Sequence, residues 1–276
     1  MNARDLTKTA FDRRLDVLEM VYNSKAGHIG GSMSCMDILT VLYYSIINFD
    51  EPNRDRFILS KGHCAEALYA VLADKGFFPK EKLATFGAFD TILAEHPTKG
   101  IPGVEVATGA LGHGLSIGVG MAIGLRDTTA RVYVLMGDGE LAEGSVWEAA
   151  MAASKFKLDG LVAIIDRNKL QISGETETVM PLGDIEAKFS AFGWAVRHCN
   201  GHDPQEIHKS LLASGKQSPQ GYDQPTNQPT VLICETIKGY GSTIMENKPD
   251  WHHQIPNHEE YQKIKTELQQ RRGAYG

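Results

Sequence analysis

Two stretches of this sequence carry residues whose types and spacing could do chemistry together. In "YVLMGDGELAEG" Asp138 stands between Gly137 and Gly139, directly after an apolar run that can end a strand near Met136. In "VAIIDRNKLQ" Asn168 closely follows a second such run. If the two strands lie side by side, a carboxylate and an amide oxygen meet at one sheet edge. Hard oxygens suit magnesium, which prefers octahedral oxygen ligands and shares its sphere with substrate phosphates. The glycines would let the backbone reach a diphosphate, whose charge the N-terminus of a helix starting near Gly144 favours. Alone, Asp138 reads as an ordinary turn residue, because Asp and Gly are common turn formers.

The elements that must position these residues can be read from periodicity. Leu6, Ala10, Leu15, Leu18 and Tyr22 predict an amphipathic first helix, and a second is expected from a Ser34 cap through "CMDILTVLYYSII". Strands are predicted at "RFILS", "RVYVLM", "GLVAIID", "WAVRHCN" and "PTVLICETI". Helices are expected at "AEALYAVLADKG" (stopped by Gly76), "GLSIGVGMAIGLR", "EGSVWEAAMAASKF", "LGDIEAKFSAFG", "PQEIHKSLLASG" and "EEYQKIKTELQQRR". The glycines of "GLSIGVGMAIGLR" suggest close packing against another backbone. Alternating strands and helices give an α/β fold, a mostly parallel sheet with helices on both faces. Residues 216–229, rich in Pro, Gly and Gln, read as a surface loop, so residues 1–276 are expected to form a single domain.

Bulk properties narrow the function classes. A net charge of −6 argues against a nucleic-acid surface, though local amides and a metal can still hold a small anionic ligand. No apolar run is expected to be long enough to cross a bilayer, and the acid-containing N-terminus does not read as a signal peptide. Four scattered cysteines (Cys35, Cys64, Cys199, Cys234) form no zinc or redox motif and fit reduced thiols in a cytoplasm.

Ligands of such a sheet sit at the carboxyl ends of its strands. Four segments can converge there: "SKGHC", "MGDGELAEG", "IDRNKLQISG" and "KGYG". The GDG, followed after a helix and a strand by Asn168, resembles the thiamine-diphosphate motif. With "NSKAGHIGGSMS", "RFILSKGHC", "EHPTKGIPGVEVATGALGHGLSIGVGMA" and "TIKGYGSTIMENKPDWHH" in this order, the chain resembles transketolases from about Leu15 to about His253. The resemblance implies the thiamine-diphosphate-binding fold and two cofactors, thiamine diphosphate and magnesium, for which calcium or manganese could substitute. It implies that Asp138, Asn168 and the Leu170 carbonyl hold the metal, and that Gly137 and Gly139 contact the diphosphate. His63 would bond the diphosphate or a substrate hydroxyl. His28 and His252 would flank the thiazolium carbon, and His96 would hold the donor's first hydroxyl. Gly109 and Leu111 would meet the aminopyrimidine end, while Glu143 and Glu148 would lie near a subunit interface linking cofactor sites. The reaction so implied moves a two-carbon ketol unit between sugar phosphates, with imidazoles suited to relay protons near neutral pH.

The chain also departs from the family's pattern. His113 stands where many transketolases have Gln, and "WHHQIP" lacks the Gly that usually follows the motif's histidine, so either His252 or His253 can be that histidine. The family's pyrimidine-binding half, with its activating glutamate, has no counterpart in the sequence. The expectation is therefore the N-terminal subunit of a split transketolase, completed by a separate C-terminal subunit in a two-plus-two heterotetramer. Ordinary pentose-phosphate sugars are the default substrates, with a branched or sulfonated sugar as the alternative. Alone, a single histidine reads as a partly buried structural residue, Glu148 as a solvated helix residue, and Lys238 as either solvated or facing the diphosphate. His198, His202, His208 and His258 match no motif. Three rivals remain: a nicotinamide dehydrogenase, another thiamine-diphosphate enzyme (2-oxo acid dehydrogenase or deoxyxylulose-phosphate synthase type), and a non-catalytic scaffold. The first is weakened because "GHGLSI" puts Ile117 where the third glycine of G-x-G-x-x-G belongs.

Overall fold

The computed structural model describes residues 1–216 and 227–275. In chain order its elements are α1 (Ala3–Ser24), α2 (Ile29–Val41), β1 (Arg56–Leu59), α3 (Ala65–Asp74), α4 (His113–Gly124) and β2 (Val132–Gly137). There follow α5 (Gly144–Lys155), β3 (Leu161–Arg167), the short hairpin β4 (Leu170–Gln171) and β5 (Gly174–Glu175), α6 (Thr176–Val179) and α7 (Ile185–Ala191). β6 (Ala195–Asn200), α8 (Pro204–Leu212), β7 (Thr230–Glu235) and α9 (His258–Gly273) complete the described chain. Each helix and strand expected from periodicity is present. Most of the expected 216–229 loop, residues 217–226, lies outside the described residues.

The main sheet has the order β1-β2-β3-β7-β6, and every pairing in it is parallel. Strand side chains alternate between two cores, as period-2 geometry requires. Tyr133, Leu135, Val162 and Ile164 face the core that includes residues of α1, α2, α3, α8 and α9. Val132, Val134, Met136, Ala163 and Ile165 face the core built with α4, α5 and α7. Helices thus cover both faces, and the near-continuous apolar runs of β2 and β3 are explained.

Two expectations need correction. α2 begins at Ile29, not at Ser34; His28 precedes its first turn, and the Ser34 hydroxyl donates to the Gly31 carbonyl and to Asp166 instead of capping. Sequence alone missed this because "GHIGG" looks like a loop, whereas close packing on other backbone makes glycines fit a helix. At Gly30, for example, an added Cβ would lie 2.5 Å from the Trp251 carbonyl oxygen. Second, Ile29–Ile46 does have the length and apolarity to span a membrane, contrary to expectation, but it is 83% buried within the fold. A helix apolar all round is what a core position between α1 and α3 demands. α5 begins at Gly144, as expected, with a 3-10 turn, Gly139–Ala142, between Asp138 and the helix N-terminus. The glycine-rich α4 is close-packed at one end only: Gly114 lies against Ser60 and Gly118 against Val134, while Gly120 and Gly124 are open.

Candidate active site

β2 and β3 are neighbours, with Gly137 opposite Asp166, so Asp138 and Asn168 leave the sheet side by side. The Asp138 carboxylate accepts the amides of Gly139 (2.8 Å) and Lys169 (2.5 Å), with Arg167 at 3.3 Å. Burial, reinforced by the negative charge of Asp166, raises its pKa to about 6. Asn168 donates to Asp166 and accepts the Leu170 amide through Oδ1 at 3.1 Å, which fixes the orientation of its amide. Lys169 takes φ 65°, turning the chain so that Leu170 follows directly at the same edge.

Lys61, Gly137, Asp138, Asn168, Lys238 and His252 line one cleft together with His63, Leu170 and Gln171. A larger hollow of about 520 Å³ lies across the Asn168 turn, bordered by Arg167, Thr176, Glu177 and Asn247. No histidine lines it, so the chemistry belongs to the smaller cleft.

Five imidazoles gather at that cleft. The His28 ring lies 5.5 Å from His63, 5.8 Å from His96, 5.5 Å from His252 and 4.5 Å from His253, centroid to centroid. They arrive from four places: the residue before α2, the turn after β1, the loop before α4, and the turn Pro249–His252. Gly109, at φ 144°, packs directly on the His96 ring, where a Cβ would approach Cδ2 to 3.0 Å. Burial, aided by neighbouring His63, lowers the His28 pKa to about 4. Burial and the Lys238 ammonium bring His252 down to about 3. Both rings are therefore neutral at neutral pH. Lys238 donates to His252 Nδ1 at 2.8 Å, which leaves the ring's hydrogen on Nε2.

The structure also resolves the two readings of Lys238. It is 1% exposed and so not a solvated lysine. Burial and the nearby Lys61 lower its pKa to about 8. A second ammonium held so close makes the cleft receptive to an anion. His28 Nδ1 and Thr108 Oγ1 are buried without a hydrogen-bond partner among the described residues, as expected of groups waiting for a ligand. Asp138 and Asn168 oxygens fit a hard divalent cation. Among the described residues no three His, Cys, Asp or Glu side chains could hold one alone, so a ligand such as a diphosphate would have to complete the sphere. The donor set thus fits a metal-bound diphosphate.

The other expected residues fall at the rim or beyond it. Leu111 is 37% exposed, beside Gly112, which packs on Glu143 and Ser145. Glu143 and Glu148 are exposed at the start and on the outer face of α5. The amides of Gly137 and Gly139 already have acceptors, Glu140 and Asp138, although a Cβ at Gly137 would meet only Lys61 Cβ, at 4.0 Å. His113 is exposed as the first residue of α4.

Sequence reasoning missed the buried residues that hold this arrangement. Asp166, fully buried, accepts from Lys61, Ser34 and Thr236 and so ties β1, α2, β3 and β7 together beneath the cleft. Glu140 accepts from Ser60, Gly112 and Gly137, joining three motif segments on one carboxylate. Glu66 accepts the His28 amide at 2.5 Å and the Ser32 hydroxyl at 2.8 Å, and burial raises its pKa to about 8. His202 matches no motif, yet its Nε2 accepts the Ile237 amide and its Nδ1 donates to Asp37, which pairs with the buried Arg14. The only sequence signal was unusual polarity inside apolar surroundings.

Comparison with known proteins identifies the family. The family described as "Transketolase, thiamine diphosphate binding domain" matches residues 7–272. The chain is 47% identical to an apulose-4-phosphate transketolase subunit of Phocaeicola vulgatus, over 98% of this chain and 96% of that one. It is 38% identical to a 6-deoxy-6-sulfo-D-fructose transketolase subunit of a Clostridium species, over 96% of each. Among solved structures, the transketolase of Campylobacter jejuni superposes with a TM-score of 0.87 at 29% identity, covering all of this chain but 46% of that one. The chain therefore belongs to the transketolase family and is built as its thiamine-diphosphate-binding domain.

Proposed function

We propose that this chain is the diphosphate-binding subunit of a split transketolase, which moves a two-carbon ketol unit from a ketose phosphate to an aldose phosphate. The observation that carries the reading is the meeting of Asp138, Asn168 and Lys238 with His28, His63 and His252 at one cleft. Asp138, Asn168 and the Leu170 carbonyl hold magnesium; Gly137, Gly139, His63 and Lys238 face the diphosphate; Gly109 and Leu111 present backbone to the aminopyrimidine end. When bound, thiamine diphosphate supplies the electron sink for C–C cleavage. His28, neutral, can accept from a donor hydroxyl through a ring nitrogen, and His252, whose Nδ1 is taken by Lys238, can donate through Nε2. His96 holds the donor's first hydroxyl.

The partner would close the cleft over the thiazolium, whose ring would otherwise face water. Support for a docking face comes from Leu111, Met151 and Phe156, apolar residues exposed near Glu143 and Glu148. A second reading keeps the chemistry and changes the sugar: the similarity to subunits named for apulose phosphate and sulfofructose favours a branched or sulfonated donor.

The test is to purify this chain with and without the product of its neighbouring gene and to supply thiamine diphosphate, magnesium, xylulose 5-phosphate and ribose 5-phosphate. Ketol transfer by the pair and none by the lone chain is the expected result. Full activity from the lone chain would refute the split site.

A further inference from the structure

The two consecutive histidines at the end of the Pro249–His252 turn point in different directions, and the second has no place in the proposed ketol transfer. Trp251, 4% exposed, sets its carbonyl against Gly30, which pins the turn to the first turn of α2. His252 is thereby directed inward, onto Lys238 and within 5.3 Å of the His63 ring. His253 follows with φ −138° and ψ 16°, and its side chain is exposed at the rim. Its ring nevertheless leans back over the site: its centroid lies 4.5 Å from that of His28, closer than His63, His96 or His252.

We infer that His253 is a specificity-determining residue that binds the part of the ketose donor beyond the bond that breaks. The inference rests on the ketol-transfer reading. The inner imidazoles and the cleft floor surround the place where the reacting carbon must sit. The remainder of a sugar has to leave that place toward solvent, past the outer edge of His28. His253 stands on that path. One imidazole nitrogen donates and the other accepts, so a single ring can serve a hydroxyl in either sense and suits a polyhydroxylated chain. A site that bonds a substrate hydroxyl discriminates against donors lacking it, because its own polar groups are then left unpaired.

The test uses the assembled two-chain enzyme with two donors. Xylulose 5-phosphate leaves a hydroxylated fragment, whereas hydroxypyruvate leaves carbon dioxide, which carries no hydroxyl. For His253→Ala, the ratio of kcat/KM for xylulose 5-phosphate to that for hydroxypyruvate is expected to fall by about tenfold. His253→Gln, which keeps a donor and an acceptor, should recover part of that ratio. The affinity for thiamine diphosphate, by calorimetry, should stay at the wild-type value in both variants. An unchanged ratio overturns the inference, whether both donors are slowed alike or neither is. A fall in cofactor affinity matching the fall in turnover also overturns it, since it would place His253 on the cofactor. Absence of turnover with either donor by the wild-type pair would instead strike at the ketol-transfer reading.

Discussion

At the scale of single residues, the site rests on a few buried polar groups whose loss has separable consequences. Asp138→Ala should abolish magnesium-dependent binding of thiamine diphosphate while the chain stays folded, since one anionic ligand to a bridging metal is hard to replace. Calorimetry with and without magnesium measures this; undiminished affinity would remove Asp138 from the metal. His96→Ala should lower kcat/KM for hydroxylated donors by about 1–3 kcal/mol, the cost of an unpaired hydrogen bond, with little change in cofactor affinity. If affinity falls and donor kinetics do not, His96 serves the cofactor. Glu66 yields a prediction about pH. Its folded pKa of about 8 lies above the ordinary carboxyl value, so the folded state holds a proton that the unfolded state releases. That preference favours folding at acid pH and is lost as pH rises from about 4.5 to about 8. Glu66→Gln keeps an acceptor for the His28 amide, gives Ser32 a donor, and removes the titration. Its urea midpoint should fall less than that of wild type between pH 5 and pH 9. Parallel pH curves would show that Glu66 does not titrate as argued.

At the scale of elements, the cleft exists because separate loops are held by carboxylates buried beneath them. The loop after β7 is the clearest case. His202, just after β6, fixes the Ile237 amide next to Lys238, while its ring stacks on Tyr240 with centroids 3.6 Å apart. Asp37 on α2 and Arg14 on α1 complete the anchor, both almost without exposure. His202→Phe retains the stacking but leaves the Ile237 amide unpaired and removes one of the two partners of Asp37 Oδ2, which Arg14 still holds. It should cost about 1–3 kcal/mol in denaturant unfolding and weaken cofactor binding through the displaced Lys238. A stability loss with normal cofactor affinity would mean that the loop holds its place without this anchor.

At the scale of the whole molecule, the chain spans less than half the length of the Campylobacter transketolase it superposes on, but it matches nearly the full length of the Phocaeicola protein. The reading of a split enzyme predicts an assembly of two copies of this chain and two of its partner, closed by a large apolar interface. Mass photometry of the reconstituted enzyme reads the stoichiometry directly. Met151→Glu, on the exposed side of α5, should weaken assembly without unfolding the isolated chain. An intact complex would place the docking face elsewhere.

How much of this was legible in the sequence follows from how local each feature is. Strands and helices are written in short-range periodicity, so the α/β order, the GDG turn after β2 and the Asn168 turn after β3 could be read directly. The histidines could be listed by motif, yet nothing local says that the rings of His28 and His253 meet, or that His252 turns inward and His253 outward. Those outcomes depend on Trp251 docking against Gly30, a contact between segments far apart in the chain. The buried network of Asp166, Glu140, Glu66 and His202 was equally hidden. A polar side chain in an apolar stretch becomes a strut only when folding brings it a partner, and the partners here come from other strands and helices. Chain order and local pattern determined which elements form; only tertiary packing decided which charges are buried, which imidazoles are neutral, and which face of each turn lines the cleft.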